Sequence, residues 1–313
     1  MNKIIVFGSF VVDLMSRAPH LPVPGETVKS SMFKMGPGGK GFNQGIASHK
    51  SGGNVTMVTK LGRDEFADVA MDMLKQQNMS TEFVFISDEV ATGAALIMVD
   101  ENTSQNAIMV ASGACDTFND EDIAKIEPII KSSQILLTQL ETNIDAVEKV
   151  IDIAYENGTK VILNPAPIQP IKNEIFRKID IITPNEVEAE ILTGIKIGNI
   201  DDARQAANYF LDKGVKEVVI TLGKNGVLAV TKEKHELFGN YDVKVVDTTG
   251  AGDAFNGGFV TALAEGKDIF EACWFGNAVS NLAVTKLGTA IAMPTREDID
   301  EFIKSNSPKR SDV

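Results

Sequence analysis

The sequence predicts an α/β fold: a doubly wound, mostly parallel sheet flanked by helices and carrying a small β-sheet lid. Two observations predict the sheet. Short apolar, often β-branched runs at residues 4–7, 55–59, 135–139, 160–163, 179–183 and 218–222 have the length and composition of buried parallel strands. Helix-forming stretches at 42–51, 65–77, 120–131, 145–157, 201–213, 268–286 and 296–304 alternate with them or follow them, and such alternation gathers ligands at the C-terminal ends of the strands. A third observation predicts the lid. Residues 92–99 and 107–110 read as consecutive strands joined by a polar turn at 100–104, which breaks the βα rhythm. With an earlier excursion through Pro19, Pro22, Pro24 and the strand-like segment 26–35, they make a lid over about 14–36 and 90–112. The whole is expected to be one domain, 1–313.

Bulk properties narrow the function. The chain has 313 residues, 43% of them hydrophobic, and a formal net charge of −13 with pI near 4.8. That balance argues against a nucleic-acid or anionic-membrane partner while leaving room for a local basic pocket. Cys115 and Cys273 lie far apart and lack metal-ligand spacing, which excludes a disulfide scaffold or cysteine zinc site and fits a reducing cytoplasm. The first apolar run ends at Gly8 after four residues and reads as a strand rather than a signal-peptide core. No stretch has the ~20 apolar residues that span a bilayer.

In chain order, the first strand is closed by Gly8-Ser9, and Asp13 is expected in the loop just beyond it. A carboxylate there can accept from two vicinal sugar hydroxyls, although a solvated loop aspartate is the commoner case. Gly36-Pro37-Gly38-Gly39-Lys40-Gly41 then runs straight into a helix. Such glycines let backbone approach a ligand, with Lys40 and Asn43 as donors. Glu141 follows one strand end, and the stiff loop Asn164-Pro165-Ala166-Pro167 follows the next. Asn185 and Glu188 open a helix three residues apart. They suit a hydrated Mg²⁺ and a phosphate oxygen, or equally an N-cap with Glu at its third position. Thr221 and Gly223 lie where a nucleotide would sit, and Asn225-Gly226 suits a hairpin turn into residues 227–231.

The stretch DTTGAGDAFNGG at 247–258 organises the rest, leading into a helix over 254–265. Gly250 and Gly252 present backbone N–H groups at a helix N-terminus, an anion site. Asp253 beside it is poorly explained by anion binding, but it is what stripping a proton from an attacking hydroxyl requires. GAGD alone is equally compatible with a glycine turn capping a core helix. His20, His49 and His235 lie near no second ligand or nucleophile and receive no role, and the polar tail 305–313 is expected to fray.

The ordered series GSFVVD, GGKGFNQ, QLE, NPAP, TPNEVEAEILTG, TLGKNG, DTTGAGDAFNGG and AVTKLG closely resembles the ribokinase branch of the PfkB sugar-kinase family, over essentially the whole chain. The resemblance implies ATP-dependent phosphorylation of a pentose at its primary hydroxyl. Asp253 becomes the general base, and the amides of Gly250, Ala251 and Gly252 form an anion hole for the γ-phosphate. Asp13, Gly39, Lys40, Gly41, Asn43 and Glu141 match sugar-binding positions. Asn185, Thr221, Gly223, Gly226, Gly252 and Asn277 match nucleotide-binding positions, and Glu188 the glutamate that organises Mg²⁺ through water. Asp247, Thr249, Ala283, Lys286, Gly288 and Ala292 match a K⁺ site made mostly of backbone carbonyls. The resemblance also implies a homodimer paired through the lids.

One position departs from the family. Val11 stands where ribokinases carry the Asn that bonds the sugar; deoxyribokinases are similar to this chain in having an apolar residue there. A valine side chain neither donates nor accepts, so 2-deoxyribose competes with ribose as the expected substrate. A nucleoside kinase or hexose-phosphate kinase of the same family and a catalytically inert sugar sensor are the remaining alternatives. An inert sensor would be free to lose Asp253, Lys40 or the loop glycines, and all are present.

Overall fold

The computed structural model describes residues 3–103 and 105–306. Ser104 in the lid turn and the tail from 307 onward lie outside them. In chain order the elements are β1 (Lys3–Phe7), β2 (Val11–Ala18), β3 (Met32–Gly38), α1 (Lys40–Lys50), β4 (Asn54–Gly62), α2 (Glu65–Gln76), β5 (Val84–Ser87), β6 (Thr92–Asp100) and β7 (Asn106–Gly113). Then follow α3 (Asp120–Ser132), β8 (Ile135–Thr138), α4 (Ile144–Glu156), β9 (Lys160–Leu163), β10 (Ile181–Ile182), α5 (Glu186–Thr193), α6 (Ile200–Asp212) and β11 (Glu217–Thr221). The chain closes with β12 (Val227–Val230), β13 (His235–Phe238), α7 (Ala251–Ala264), α8 (Ile269–Ala283) and α9 (Arg296–Ser305).

Nine strands form the main sheet in the order β13-β12-β11-β10-β9-β8-β1-β4-β5. Neighbours from β11 through β5 pair in parallel, while β12 and β13 add an antiparallel edge. Because successive strand residues point to opposite faces, each central strand feeds two cores. Ile4, Val6, Ile135 and Leu137 pack with α1, α7 and α8, whereas Ile5, Phe7, Leu136 and Leu163 pack with α3, α4 and α6. Both faces are covered, so these strands read as continuous apolar runs.

The second sheet, the lid, has the order β3-β2-β6-β7, with β2 and β6 parallel and the outer pairs antiparallel. It shows where local reading of the chain fell short. Val11–Ala18 is a full strand of this sheet, so Asp13 sits on a lid strand rather than in a loop after β1. The alternation VVDLMSRA is strand-like, but its polar residues read as loop. The strand expected at 26–35 begins only at Met32, after a turn in which Glu26 Oε2 accepts from the Val23 N–H (3.1 Å). The β11–β12 hairpin exists, but it is closed by a 3-10 turn over Gly223–Asn225 rather than a two-residue Asn-Gly turn.

Candidate active site

Six helices, α2, α3, α5, α6, α8 and α9, begin with a side chain that accepts from their first turn. The other three, α1, α4 and α7, do not, and α1 and α7 are the two that follow the glycine motifs. A helix start without a side-chain cap leaves N–H groups for another partner. For α1 that partner comes from across the fold: Glu141 Oε2 accepts from the Lys40 N–H (2.8 Å) and from the Ser9 hydroxyl. For α7 the preceding Gly250 is left-handed (φ +77), a backbone state that glycine enters without strain. The Ala251 N–H donates to the Thr248 carbonyl (3.1 Å), so an anion would meet the Gly250 and Gly252 amides first and reach Ala251 only once that turn opens.

Asp253 lies in the first turn of α7 and is 7% exposed. Its Oδ2 accepts from Asn43 Nδ2 (3.0 Å) and its Oδ1 from Gln44 Nε2 (2.9 Å). Burial pushes its carboxyl above the ordinary carboxylate range, with the Lys40 charge and the two amide donors working against that rise. Burial also works against the Lys40 ammonium, but Asp253, Glu141 and Glu188 together outweigh it and raise its pKa. Asp13, on β2, is lifted to about 6 by burial, with Glu141 and Asp253 pushing further upward and the Thr289 hydroxyl opposing.

Three adjoining cavities organise the remaining residues, and Thr248 lines all of them. The central one, about 150 Å³, brings Lys40, Asn185, Glu188 and Asp253 together with the start of α7. The second, about 480 Å³, is lined by Asn185, Thr221, Gly223, Gly226, Gly252 and Asn277. The third, about 310 Å³, lies beneath the lid and contains Asp13, Asp247, Thr249 and Gly288 among apolar side chains such as Met15, Ile97 and Ile108. Val11 is buried two positions before Asp13 on β2, so both side chains face the same side of the strand. Gly39 and Gly41 flank Lys40 where α1 begins, and Asn43 lies one turn further on.

Asn185 and Glu188 form a reciprocal capping box: the Glu188 N–H donates to Asn185 Oδ1 and the Asn185 N–H to Glu188 Oε2, both at 2.8 Å. The structural role weighed for this pair is therefore real, and it aims both side chains at the central cavity. Asp247 ties two loops together, its Oδ1 accepting from the Thr249 N–H (2.9 Å) and its Oδ2 from the Gly288 N–H (3.0 Å). The Val284 carbonyl accepts from the Asp247 N–H (3.2 Å), beside Ala283. The Lys286 side chain is exposed and interacts with Lys50 and Asp298, which leaves its carbonyl as its candidate donor. No cluster of three or more His, Cys, Asp or Glu suited to a metal occurs among the described residues. Sequence reading missed Ser9, Gln44, Gln139, Asn164 and Thr289, whose side-chain bonds hold the site together.

Residues 1–296 match the model of the "pfkB family carbohydrate kinase". The chain is 40% identical over 303 residues to a ribokinase of Haemophilus influenzae, covering 97% of this chain and 99% of that one. It is 35% identical over 304 residues to a deoxyribokinase of Salmonella typhi, with 97% and 99% covered. Among solved structures, a ribokinase from Thermotoga maritima superposes with a TM-score of 0.89 at 36% identity, over 97% of this chain and all of that one. An Arabidopsis thaliana ribokinase complexed with ribose and ATP gives 0.89 at 30% identity, over 97% and 99%. With both glycine motifs converging on one carboxylate, the chain belongs to the pfkB family of carbohydrate kinases.

Proposed function

We propose that this protein transfers the γ-phosphoryl group of ATP to the 5-hydroxyl of D-ribose, with Asp253 as general base. The observation that carries the proposal is Asp253 itself, a carboxylate held by two amides in a cavity that also contains Lys40, Glu188 and the start of α7. The sugar oxygen forms a bond to the γ-phosphorus as the bond to the leaving ADP oxygen breaks. The hydroxyl proton passes to Asp253, and the electron pair departs with ADP. Amides of Gly250, Ala251 and Gly252 receive the charge of the transferring group. Asp13, Glu141, Lys40 and Asn43 hold the sugar beside Gly39 and Gly41. The buried Oδ1 of Asn43 has no hydrogen-bond partner among the described residues and is an acceptor suited to a sugar hydroxyl. The nucleotide occupies the cavity of Asn185, Thr221, Gly223, Gly226 and Asn277.

Glu188 and Asn185 supply the hard oxygen donors that suit hydrated Mg²⁺, which neutralises phosphate charge when bound. Asp247, Thr249 and the carbonyls of Ala283, Lys286, Gly288 and Ala292 supply a similar oxygen set for K⁺ beside the loop before α7. The lid register puts Phe33, Met35, Leu96 and Met109 on its outer face, where they are 66%, 49%, 49% and 71% exposed. A contiguous apolar face of this kind is a protein contact, and we assign it to pairing of two lids in a homodimer. The two unpaired thiols agree with a cytoplasmic setting.

Val11 supports a second reading, in which 2-deoxy-D-ribose is the preferred sugar. The two are separated by ADP release with MgATP and K⁺, comparing kcat/KM for D-ribose and 2-deoxy-D-ribose. Preference for ribose upholds the first reading, preference for 2-deoxyribose the second, and silence on both refutes each.

A further inference from the structure

The Asp253 carboxylate is aimed by a chain of buried amides. Gln44, on α1, is fully buried. Its Nε2 donates to Asp253 Oδ1 (2.9 Å) and to Asn164 Oδ1 (3.0 Å), while its Oε1 accepts from Gln139 Nε2 (2.7 Å). Asn164 in turn donates through Nδ2 to the Thr183 carbonyl (2.9 Å). Gln139, Asn164 and Thr183 immediately follow the C-terminal ends of the adjacent strands β8, β9 and β10. Asn164, tied to the Thr183 carbonyl, thus sets which way the glutamine faces, and Gln139 donates to its oxygen from the next strand end while its own Oε1 has no partner among the described residues. Turned over, the Gln44 amide would set its oxygen against the Asp253 carboxylate and the Asn164 oxygen, and its NH₂ against the Gln139 NH₂.

The main chain is shaped around this network. A Cβ on Gly8 would lie 2.1 Å from Gln139 Oε1 and 2.7 Å from the Gly41 Cα, so glycine at position 8 gives Gln139 its place against α1. Buried amides are costly to desolvate, and an apolar filling would be simpler. The network ends on a carboxylate facing the central cavity, which is where its bonds have an effect that leucine could not supply.

We propose that Gln44, oriented by Gln139 and Asn164, is a positioning residue for phosphoryl transfer, holding the Asp253 carboxylate aimed at the attacking hydroxyl and ionised inside the buried site. The inference rests on the reading of Asp253 as the base. The charged groups that face Asp253 are Lys40 from α1, Glu141 from the loop after β8, Asp13 from the lid and Glu188 from α5. Among the described residues one cation thus stands against three carboxylates, so loss of the Gln44 donor moves the Asp253 pKa upward.

The test is kcat and KM as functions of pH with MgATP and the better of the two pentoses, for wild type, Gln44→Leu, Gln139→Leu and the double variant. For Gln44→Leu, kcat falls ~100-fold, KM for the sugar changes less than ~3-fold, and the acid limb of kcat moves up by about one pH unit. Gln139→Leu gives a smaller shift of the same sign, and in the Gln44→Leu background it adds nothing, because it acts through Gln44. An acid limb that stays in place, or losses that multiply in the double variant, overturns the inference. A merely structural role lowers Tm and leaves the pH profile unmoved. If Gln44→Leu does not fold, the profile of Gln139→Leu decides alone. Turnover that persists in Asp253→Asn removes the base reading itself, whereas a silent Asp253→Asn with an unshifted Gln44→Leu removes only the positioning role.

Discussion

Asp253 and Asp13 both border the same cavity system, yet they are held in opposite ways. Asp253 is on a helix of the main layer, with one amide donor on each oxygen at 2.9–3.0 Å. Asp13 is on a lid strand, and its one side-chain hydrogen bond among the described residues is to the Thr289 hydroxyl at 3.4 Å, a group that also donates to the Pro37 carbonyl at 2.9 Å. Charge transfer rewards a group fixed before the substrate arrives. A group proposed to grip the sugar from the lid would gain most of its partners from the sugar itself. On the proposed reading the difference separates two jobs: the main layer would supply the reacting geometry, and the lid affinity for the sugar.

Substitutions can break that separation. The largest effect is expected for Asp253→Asn, which lowers kcat by ~10³-fold or more while the sugar Kd by calorimetry changes less than ~10-fold. Equal loss of both would make Asp253 a binding residue like Asp13. Asp13→Asn raises KM for the sugar by ~100-fold with a smaller change in kcat. A kcat effect as large as that of Asp253→Asn would erase the distinction.

Acidity sharpens the comparison further. With Asp13 at about 6 and sugar hydroxyls donating to its ionised form, binding must remove a proton at lower pH. Sugar affinity therefore falls below about pH 6, by up to ~10-fold per unit, and Asp13→Asn flattens that dependence. In the sugar-free protein the sign reverses. The folded pKa lies above the ordinary 3.8, so the carboxyl's stabilising contribution is full below that value and lost as pH rises through about 6. Thermal melts with and without sugar across this range check both.

Smaller effects probe the lid alone. Val11→Asn raises the ratio of kcat/KM for ribose over 2-deoxyribose by ~10-fold, because an amide that hydrogen-bonds the extra sugar hydroxyl discriminates where an apolar contact does not. Phe33→Asp with Met109→Asp, on the outer face, converts dimer to monomer in sedimentation at a kcat within ~3-fold of wild type. Unchanged sedimentation would refute the lid pairing.

The parallel sheet was legible because both of its faces are buried, so runs such as Ile4–Phe7 and Val161–Leu163 carry an unbroken apolar signal. The lid was legible from the hairpin that interrupts the βα order and from the excursion at 14–36, although the strand placed at 26–35 begins only at Met32. Val11–Ala18 escaped because Asp13, Ser16 and Arg17 look like loop residues when the sheet they belong to is half exposed. Asp253, Lys40, Asn43 and Glu141 stood out through glycine motifs and strand ends. Gln44, Gln139 and Asn164 did not, since a lone amide in a helix or after a strand usually faces water. Only the meeting of three strand ends with α1 buries them together.

The sugar hydroxyl that meets Asp253 fixes where the phosphate goes, and proton-coupled phosphorus NMR of the product from D-ribose, MgATP and K⁺ tests this most directly. Phosphate on the C5 oxygen couples to two protons and gives a triplet, the predicted result. A doublet, from an ester at a carbon bearing one proton, or no product phosphate beyond ADP and inorganic phosphate, would contradict it.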